Sequence, residues 1–137
     1  MRVVYVDSGA FIALLRRKDQ QHDRVAKHFV RLRQAGDRLV TSDAVVSETA
    51  TRLRYDVGLD AALAFRRLLD AAGSQLAVHD SDARTRGAAF DLMAGYADLR
   101  LSYADCVGGV VARAMRAAAV FGLDGDFRVL GFAVEPD

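Results

Sequence analysis

The chain alternates short, unbroken apolar runs with longer stretches of helical periodicity. Unbroken β-branched runs are typical of buried strands, whereas apolar residues at i, i+4 and i+7 are typical of amphipathic helices. The runs predict strands over residues 2–6, 38–41, 76–79 and 119–121, with a short fifth at 128–130. The periodicity predicts helices over about residues 9–17, 20–34, 43–57, 60–72, 81–96 and 102–117. Such alternation predicts an α/β fold with a central parallel sheet covered on both faces.

Length and composition indicate one ordinary globular domain. The 137 residues are 52% hydrophobic and 27% charged, and no repeat, linker or low-complexity tract divides residues 1–137. The lone cysteine, Cys106, excludes an internal disulfide and is typical of a reducing compartment. No apolar run reaches the roughly 18 residues of a membrane span, and the first residues lack a signal-peptide pattern. We therefore expect a cytoplasmic protein with no membrane segment.

Charge is distributed unevenly along the chain, although the net charge is only +1. A basic rim around an acidic site would suit a polyanionic substrate, because guanidinium groups pair with phosphate. The alternative is a set of solvated helix faces in an arginine-rich chain, and for any single arginine this alternative carries more weight. The basic clusters lie at residues 16–18, 24–38, 52–54 and 66–67.

Acidic side chains recur next to the predicted strands. Asp7 ends the first strand, Glu48 lies early in the helix after the second, and Asp124 follows the fourth. Asp105 lies in the helix that precedes the fourth strand. The carboxyl ends of parallel strands meet at one edge of the sheet, where open α/β folds bind ligands. Four gathered carboxylates repel one another unless a cation joins them, and a hard divalent cation takes oxygen ligands.

Asp105 is the most informative of these acids. It is the only charge between Tyr103 and Ala112, and small residues such as Gly108 share its side of the helix. The stretch from Ser102 to Asp105 also resembles a capping box. A helix that is apolar all round is buried, and a buried carboxylate needs a partner. The surroundings therefore favour a functional role.

The other three acids also have structural interpretations. Asp7 can be a helix N-cap. Glu48 lies opposite an apolar stripe centred on Val46, where solvated glutamates are common. Asp124 begins an Asp-Gly-Asp sequence that is typical of a turn. Motifs such as HExxH, CxxC, GxGxxG and the P-loop are absent, so no zinc or nucleotide-cofactor site is predicted.

The ordered set of motifs resembles the PIN-domain family of metal-dependent ribonucleases, specifically the VapC-like toxins of type II toxin–antitoxin pairs. The matching segments are VDSGAFIALL, TSDAVVSETATRLR, LSYADCVGGVVARAM and DGDFRVLGF. They lie in the family's order and span both ends and the middle of the chain. Each segment alone is moderately specific, whereas the ordered set is strong.

The resemblance implies an α/β/α sandwich with a parallel central sheet and an acidic pocket that holds Mg²⁺ or Mn²⁺. Asp7, Glu48, Asp105 and Asp124 match the family's acidic positions, and Asp126 in the terminal motif could share the fourth role. Asp7 and Asp105 would be the principal metal ligands. Members of the family often carry Thr or Ser at the position of Gly122, so the sequence next to the fourth acid departs from the family pattern.

The implied function is metal-dependent hydrolysis of RNA phosphodiester bonds by an endoribonuclease, the toxin of a toxin–antitoxin pair. Its implied partners are an RNA substrate, a small antitoxin that occludes the acidic pocket and a second copy of the chain in a homodimer. The alternative is a non-catalytic PIN-like module that binds RNA or protein. A haloacid-dehalogenase-like phosphatase would need an acid at Gly9, and a phospho-receiver domain would need a late lysine.

Overall fold

The computed structural model describes residues 1–137, which form one five-stranded parallel sheet flanked by helices. The strands lie in the order β3–β2–β1–β4–β5. Their bounds are β1 Val3–Val6, β2 Arg38–Ser42, β3 Leu76–His79, β4 Ala119–Phe121 and β5 Val134–Glu135. The helices are α1 Ser8–Leu15, α2 His22–Gln34, α3 Asp43–Asp56, α4 Leu59–Ala72, α5 Ala83–Gly95, α6 Tyr103–Ala114 and α7 Asp126–Val129. None of them combines the length and apolar character needed to cross a membrane.

The register of the central strands shows that helices cover both faces of the sheet. Val6 and Phe121 are partners on β1 and β4, so their side chains share a face. On that face the ring of Phe121 lies 5.2 Å from the His28 ring of α2. Tyr5 points to the opposite face, where a β-carbon on Gly108 of α6 would lie 2.9 Å from its ring. The predicted three-layer α/β/α sandwich is therefore confirmed.

The predicted fifth strand at residues 128–130 is wrong. Asp124 Oδ1 accepts a hydrogen bond from the Asp126 amide at 2.9 Å, and this turn leads directly into α7. The buried Phe127 anchors α7 in the core. The edge strand is instead Val134–Glu135, which pairs with β4. Local turn chemistry thus overrides the strand propensity of a short apolar run.

Hydrogen bonds between charged side chains connect the C-terminal strand to the start of the chain. Glu135 accepts hydrogen bonds from Arg2 Nη1 at 2.7 Å and Nη2 at 3.0 Å, and it lies 3.1 Å from His28 Nε2. Arg2 also contacts Asp37, which precedes β2. The hydrogen bonds from Arg2 hold the pKa of Glu135 below its usual value, with His28 adding to the effect. The network anchors β5 at the sheet edge opposite β3.

The apolar stripe of α3 lies one residue away from the predicted one. Val45, Thr49 and Leu53 are the buried residues of the helix, whereas Val46 is only partly buried. Glu48 therefore flanks the buried face instead of opposing it, and the interpretation of Glu48 as a solvated glutamate is wrong. The side chain of Ser42 caps α3 by accepting a hydrogen bond from the Val45 amide at 3.2 Å.

Candidate metal centre

Asp7 lies where β1 meets α1, at the carboxyl edge of the sheet. It occupies the N-cap position of α1, but its side chain makes no capping hydrogen bond. The residue is 3% exposed, and its Oδ1 atom is buried with no hydrogen-bond partner. A buried carboxylate oxygen without a partner is costly to the fold. Capping therefore does not explain why an aspartate stands here.

Asp105 faces the same cleft from the first turn of α6. Its Oδ2 accepts a hydrogen bond from the Ser102 amide at 2.9 Å, and its own amide donates to Ser102 Oγ at 3.0 Å. These bonds form the capping box suggested by the sequence. Only Oδ2 takes part in it, so Oδ1 stays available for another partner. Asp105 thus serves the helix and the cleft with different oxygens.

Glu48 and its helix neighbour Arg52 bring α3 into the cleft. Glu48 Oε2 is buried without a hydrogen-bond partner, as is Asp7 Oδ1. Arg52 lies one helical turn further along and lines the cleft with Glu48. It forms no ion pair with any carboxylate of the chain. The predicted basic cluster at residues 52–54 therefore contributes a cation to the site itself, at a position that the sequence alone did not single out.

The loop after β4 supplies the last acid. Asp124 lines the cleft, and its Oδ1 is held by the amide of Asp126. Asp126 does not line the cleft, although its charge still acts on Asp105. The structure thus brings Asp7, Glu48, Asp105 and Asp124 together in a cavity of about 330 Å³. It leaves Asp126 at the cleft's margin.

Burial and the crowding of carboxylates disfavour the ionised forms of Asp7 and Asp105. Burial, followed by the negative charge of Asp105, raises the pKa of Asp7 from 3.8 to about 7. Glu48 and Asp124 add to the rise, and the Ser8 amide offsets part of it without reaching hydrogen-bond geometry. Burial also raises the pKa of Asp105, against the lowering effect of its bonds to Ser102. Two carboxyl groups that resist ionisation are stabilised by a positive charge placed between them.

The donor set fits a hard divalent cation. The cleft offers carboxylate oxygens from four side chains, and the buried oxygens of Asp7 and Glu48 have no other partner. Mg²⁺ and Mn²⁺ prefer such oxygen ligands, and Mg²⁺ retains several waters when only one or two carboxylates bind it. No three acidic, histidine or cysteine side chains already surround one point as a closed ligand set. A site built from a few carboxylates and water fits this arrangement.

Comparison with known families bears out the resemblance. The family model described as PIN domain matches residues 4–133. The chain belongs to the PIN-domain family. Among curated proteins, none is a significant match to this sequence.

Several solved structures share the fold of this PIN domain. VapC20 of Mycobacterium tuberculosis, described as a sarcin–ricin loop cleaving toxin, has a TM-score of 0.83 at 24% identity, over 95% of this chain and 96% of that one. VapBC2 of Rickettsia felis, bound to a DNA fragment from its promoter, has a TM-score of 0.69 at 14% identity over 97% of both chains. FitAcB of Neisseria gonorrhoeae has a TM-score of 0.66 at 18% identity, over 96% of this chain and 95% of the other.

The departure at Gly122 has a steric reason in this PIN domain. A β-carbon at this position would lie 3.1 Å from Asp7 Cβ and 3.7 Å from Asp7 Oδ2. Few real Cβ contacts are as short as 3.1 Å. Glycine therefore lets the β4 loop approach the buried aspartate directly, and a larger residue would displace Asp7 or the loop.

Two further clefts each share a lining residue with the acidic centre of the PIN domain. One shares Leu123 with it and is lined by Arg16 and Lys18 among other polar residues. The other shares Glu48 with it and contains Tyr103 and Asp43, with no basic side chain. The cleft that shares Leu123 with the acidic centre thus carries basic side chains, whereas the cleft that shares Glu48 with it carries acidic and aromatic ones.

Proposed function

We propose that the protein is a Mg²⁺- or Mn²⁺-dependent endoribonuclease that hydrolyses RNA phosphodiester bonds as the toxin of a toxin–antitoxin pair. The observation that carries the proposal is the pair of buried, unpartnered carboxylate oxygens on Asp7 and Glu48 within the acidic cleft. The membership of the PIN-domain family supports it. So does the likeness in fold to VapC20, which is described as a sarcin–ricin loop cleaving toxin.

Each acid has a separate role in this proposal. Asp7 and Asp105 would hold the cation with the oxygens that the α1 and α6 termini leave free. Glu48 and Asp124 would hold waters of the cation or a second cation, and either could accept a proton from the attacking water. Asp126 supports the loop and does not bind the metal. When bound, the divalent ion supplies Lewis-acid polarisation of the phosphoryl oxygen and lowers the pKa of a coordinated water.

Basic side chains beside the acids position the RNA backbone. Arg52 reaches the cleft without an ion-pair partner in the protein, so its guanidinium group is available to a phosphate oxygen. Arg16 and Lys18 extend the positive charge along the neighbouring cleft. These cations attract a polyanion to a centre that would otherwise repel it.

The proposal includes three features that follow from the toxin assignment. A small antitoxin would cover the acidic cleft and could offer an arginine or lysine to its carboxylates. The likeness to VapBC2 supports such a partner. A homodimer and a cytoplasmic location complete the proposal, because the cytoplasm holds the RNA that such a toxin would cut.

Cleavage of total cellular RNA by the purified protein tests the proposal. The reactions contain Mg²⁺, Mn²⁺ or EDTA, and Asp105→Asn runs beside the wild type to exclude a contaminating nuclease. Asp98→Asn is the matched control, because Asp98 is exposed and makes no hydrogen bond or ion pair. We expect discrete products that require metal, persist in Asp98→Asn and disappear in Asp105→Asn.

Two outcomes would contradict the proposal. Cleavage that survives Asp105→Asn would mean that the activity belongs to another site or another protein. If folded protein freed of any partner cleaves no RNA with either metal, the alternative of a non-catalytic RNA- or protein-binding PIN module is favoured.

A further inference from the structure

We propose that the cleft between α3, the loop before α5 and α6 binds a nucleobase that carries an exocyclic amino group, next to the scissile phosphate. The proposal deepens the proposed ribonuclease function and rests on it for its place in the substrate. Guanine, adenine and cytosine carry such a group, whereas uracil does not. The cleft would therefore act as a specificity subsite for single-stranded RNA.

The position of the cleft ties it to the reacting phosphate. Its volume is about 430 Å³, and Glu48 lines both this cleft and the acidic centre. Tyr103 lies two residues before Asp105 on α6 and lines the cleft, so one helical turn carries both an aromatic ring and a carboxylate of the metal centre. A nucleotide whose phosphate lies at the acids would place its base near this ring.

The aromatic side chains offer a stacking surface. The ring of Tyr103 lies 5.5 Å from that of Phe90 on α5, at an interplanar angle of 38°. Phe90 does not line the cleft but lies beside Tyr103 and is 55% exposed. Unpaired bases of RNA stack on accessible aromatic rings such as Tyr103, and this contact is insensitive to which base is present.

The charge of the cleft favours a neutral base over a phosphate. Asp43 and Glu48 supply negative charge, and Arg and Lys are absent from the lining. A phosphate would be repelled there, whereas the cleft that shares Leu123 with the acidic centre, with Arg16 and Lys18, would attract one. The two neighbouring clefts are thus suited to different parts of a nucleotide chain.

Asp43 is held as a hydrogen-bond acceptor. Its Oδ1 accepts from Ser81 Oγ at 2.7 Å and from the Ala44 amide at 2.9 Å, and its Oδ2 accepts from the Ser81 amide at 3.3 Å. Although burial acts in the opposite direction, the bonds from Ser81 and Ala44 lower the pKa of Asp43. The carboxylate therefore stays ionised and can accept only, and Oδ2 retains capacity for an amino group. Uracil offers one ring N–H between two carbonyl groups, and those carbonyl oxygens would be repelled by this acceptor.

Titration with single nucleosides, followed by NMR of the isotopically labelled protein, tests the subsite without any need for cleavage. We expect guanosine, adenosine and cytidine at millimolar concentration to shift the Tyr103 ring and Ser81 amide signals, and uridine to shift them much less, because it can stack but lacks the amino group that bonds to Asp43. Tyr103→Leu should remove the response, whereas Tyr103→Phe should keep it. Tyr55→Leu is the control for losing a tyrosine, because Tyr55 is 81% exposed on α3 outside the cleft. An equal response to uridine, or no response to any nucleoside, would overturn the proposal.

Cleavage of oligoribonucleotides that differ only at the nucleotides flanking the cleaved bond tests whether the subsite contributes to substrate selection. We expect kcat/KM to be about tenfold higher with an amino-bearing base at one flanking position than with uracil. Asp43→Asn should reduce that preference, and the control Asp98→Asn should not. Cleavage with no base preference at either position would overturn the subsite. If nucleosides bind as expected but no RNA is cut, the ribonuclease function fails while the subsite stands.

Discussion

Gly108 of α6 lies directly against the ring of Tyr5 on β1. A β-carbon at Gly108 would be 2.9 Å from Tyr5 Cε1 and 3.0 Å from its hydroxyl oxygen. That hydroxyl group is also 3.0 Å from Oγ of Ser42, the N-cap of α3. Tyr5 thus contacts the helices that carry Asp105 and Glu48, and it lies on the strand that leads to Asp7. The small residue at 108 lets these three acids approach one another.

We therefore predict that Gly108→Ala destabilises the protein by about 1–3 kcal/mol, because an added methyl group overpacks the buried interface with Tyr5. It should also lower the affinity for Mn²⁺, since α6 carries Asp105 away from β1. Chemical denaturation and a Mn²⁺ titration measure the two effects.

Gly87→Ala is the matched control for that substitution. Gly87 lies inside α5 and is exposed, and a β-carbon added to it would meet no atom within 4 Å. Alanine there should stabilise the helix by about 0.5–1 kcal/mol. Equal stability changes in Gly108→Ala and Gly87→Ala would contradict the close packing of Gly108 against Tyr5.

Because the pKa of Asp7 is raised in the fold, we predict that the metal-free protein becomes less stable as the pH rises and Asp7 ionises. The pKa is 3.8 in an ordinary chain and about 7 in the fold, so the folded state binds the extra proton between these values. Stability due to this group is present below its unfolded pKa and is lost as the pH rises toward the folded pKa. Asp7→Asn removes the charge, so its stabilising effect should grow by roughly 2 kcal/mol between about pH 5 and about pH 8.

Thermal unfolding of wild type and Asp7→Asn in EDTA across that pH range measures the effect. RNA cleavage should be lost in the variant at every pH, because a metal ligand is missing. A stability difference that is independent of pH would show that Asp7 is not held in a site that opposes its charge.

Comparing substitutions at Asp105 and Ser102 distinguishes the capping of α6 from the role of Asp105 in RNA cleavage. Asp105→Asn keeps an oxygen that can accept from the Ser102 amide, so stability should change little while cleavage falls by orders of magnitude. Ser102→Ala should lose about 1 kcal/mol of stability through the lost cap and retain most of the cleavage rate. Parallel unfolding and rate measurements compare the pair. Equal losses of activity in both variants would mean that Asp105 matters only for the helix.

The fourth acid is identified by comparing Asp124→Asn with Asp126→Asn. Asp124 lines the cleft and Asp126 does not, so the first variant should lose far more activity than the second. Both keep the turn, since asparagine at 124 can still accept from the amide of residue 126. A larger loss in Asp126→Asn, measured as kcat/KM at saturating metal, would reverse the assignment.

The sequence predicts the sheet well where its strands are buried and unbroken. Leu76–His79 and Ala119–Phe121 have the predicted bounds, because continuous apolar runs between turn residues have few other uses in an α/β fold. The fifth strand fails this test, since Val134–Glu135 is too short to show a period and is determined by pairing with β4. Arg128 and Val129 instead belong to the helical turn of α7, which Leu130 ends.

The candidate site is predictable in its acids and not in their surroundings. Asp7 follows a strand and Asp105 stands alone in an uncharged helix, so their positions mark them in the sequence. The orientation of Glu48 depends on a stripe displaced by one residue, which periodicity cannot resolve in a helix of mixed polarity. Arg52 enters the cleft through the packing of α3, and Tyr103 meets Ser81 only through the tertiary fold. Such neighbours have no sequence signal.

Anomalous diffraction from a crystal of the protein grown with Mn²⁺ tests the proposed metal centre directly. We predict an anomalous peak in the acidic cleft, with oxygens of Asp7 and Asp105 in its coordination sphere at about 2.0–2.2 Å. Asp98→Asn should retain the peak and Asp7→Asn should lose it. Mn²⁺ bound only elsewhere, or an empty cleft at a saturating concentration, would contradict the metal centre on which the proposed ribonuclease depends.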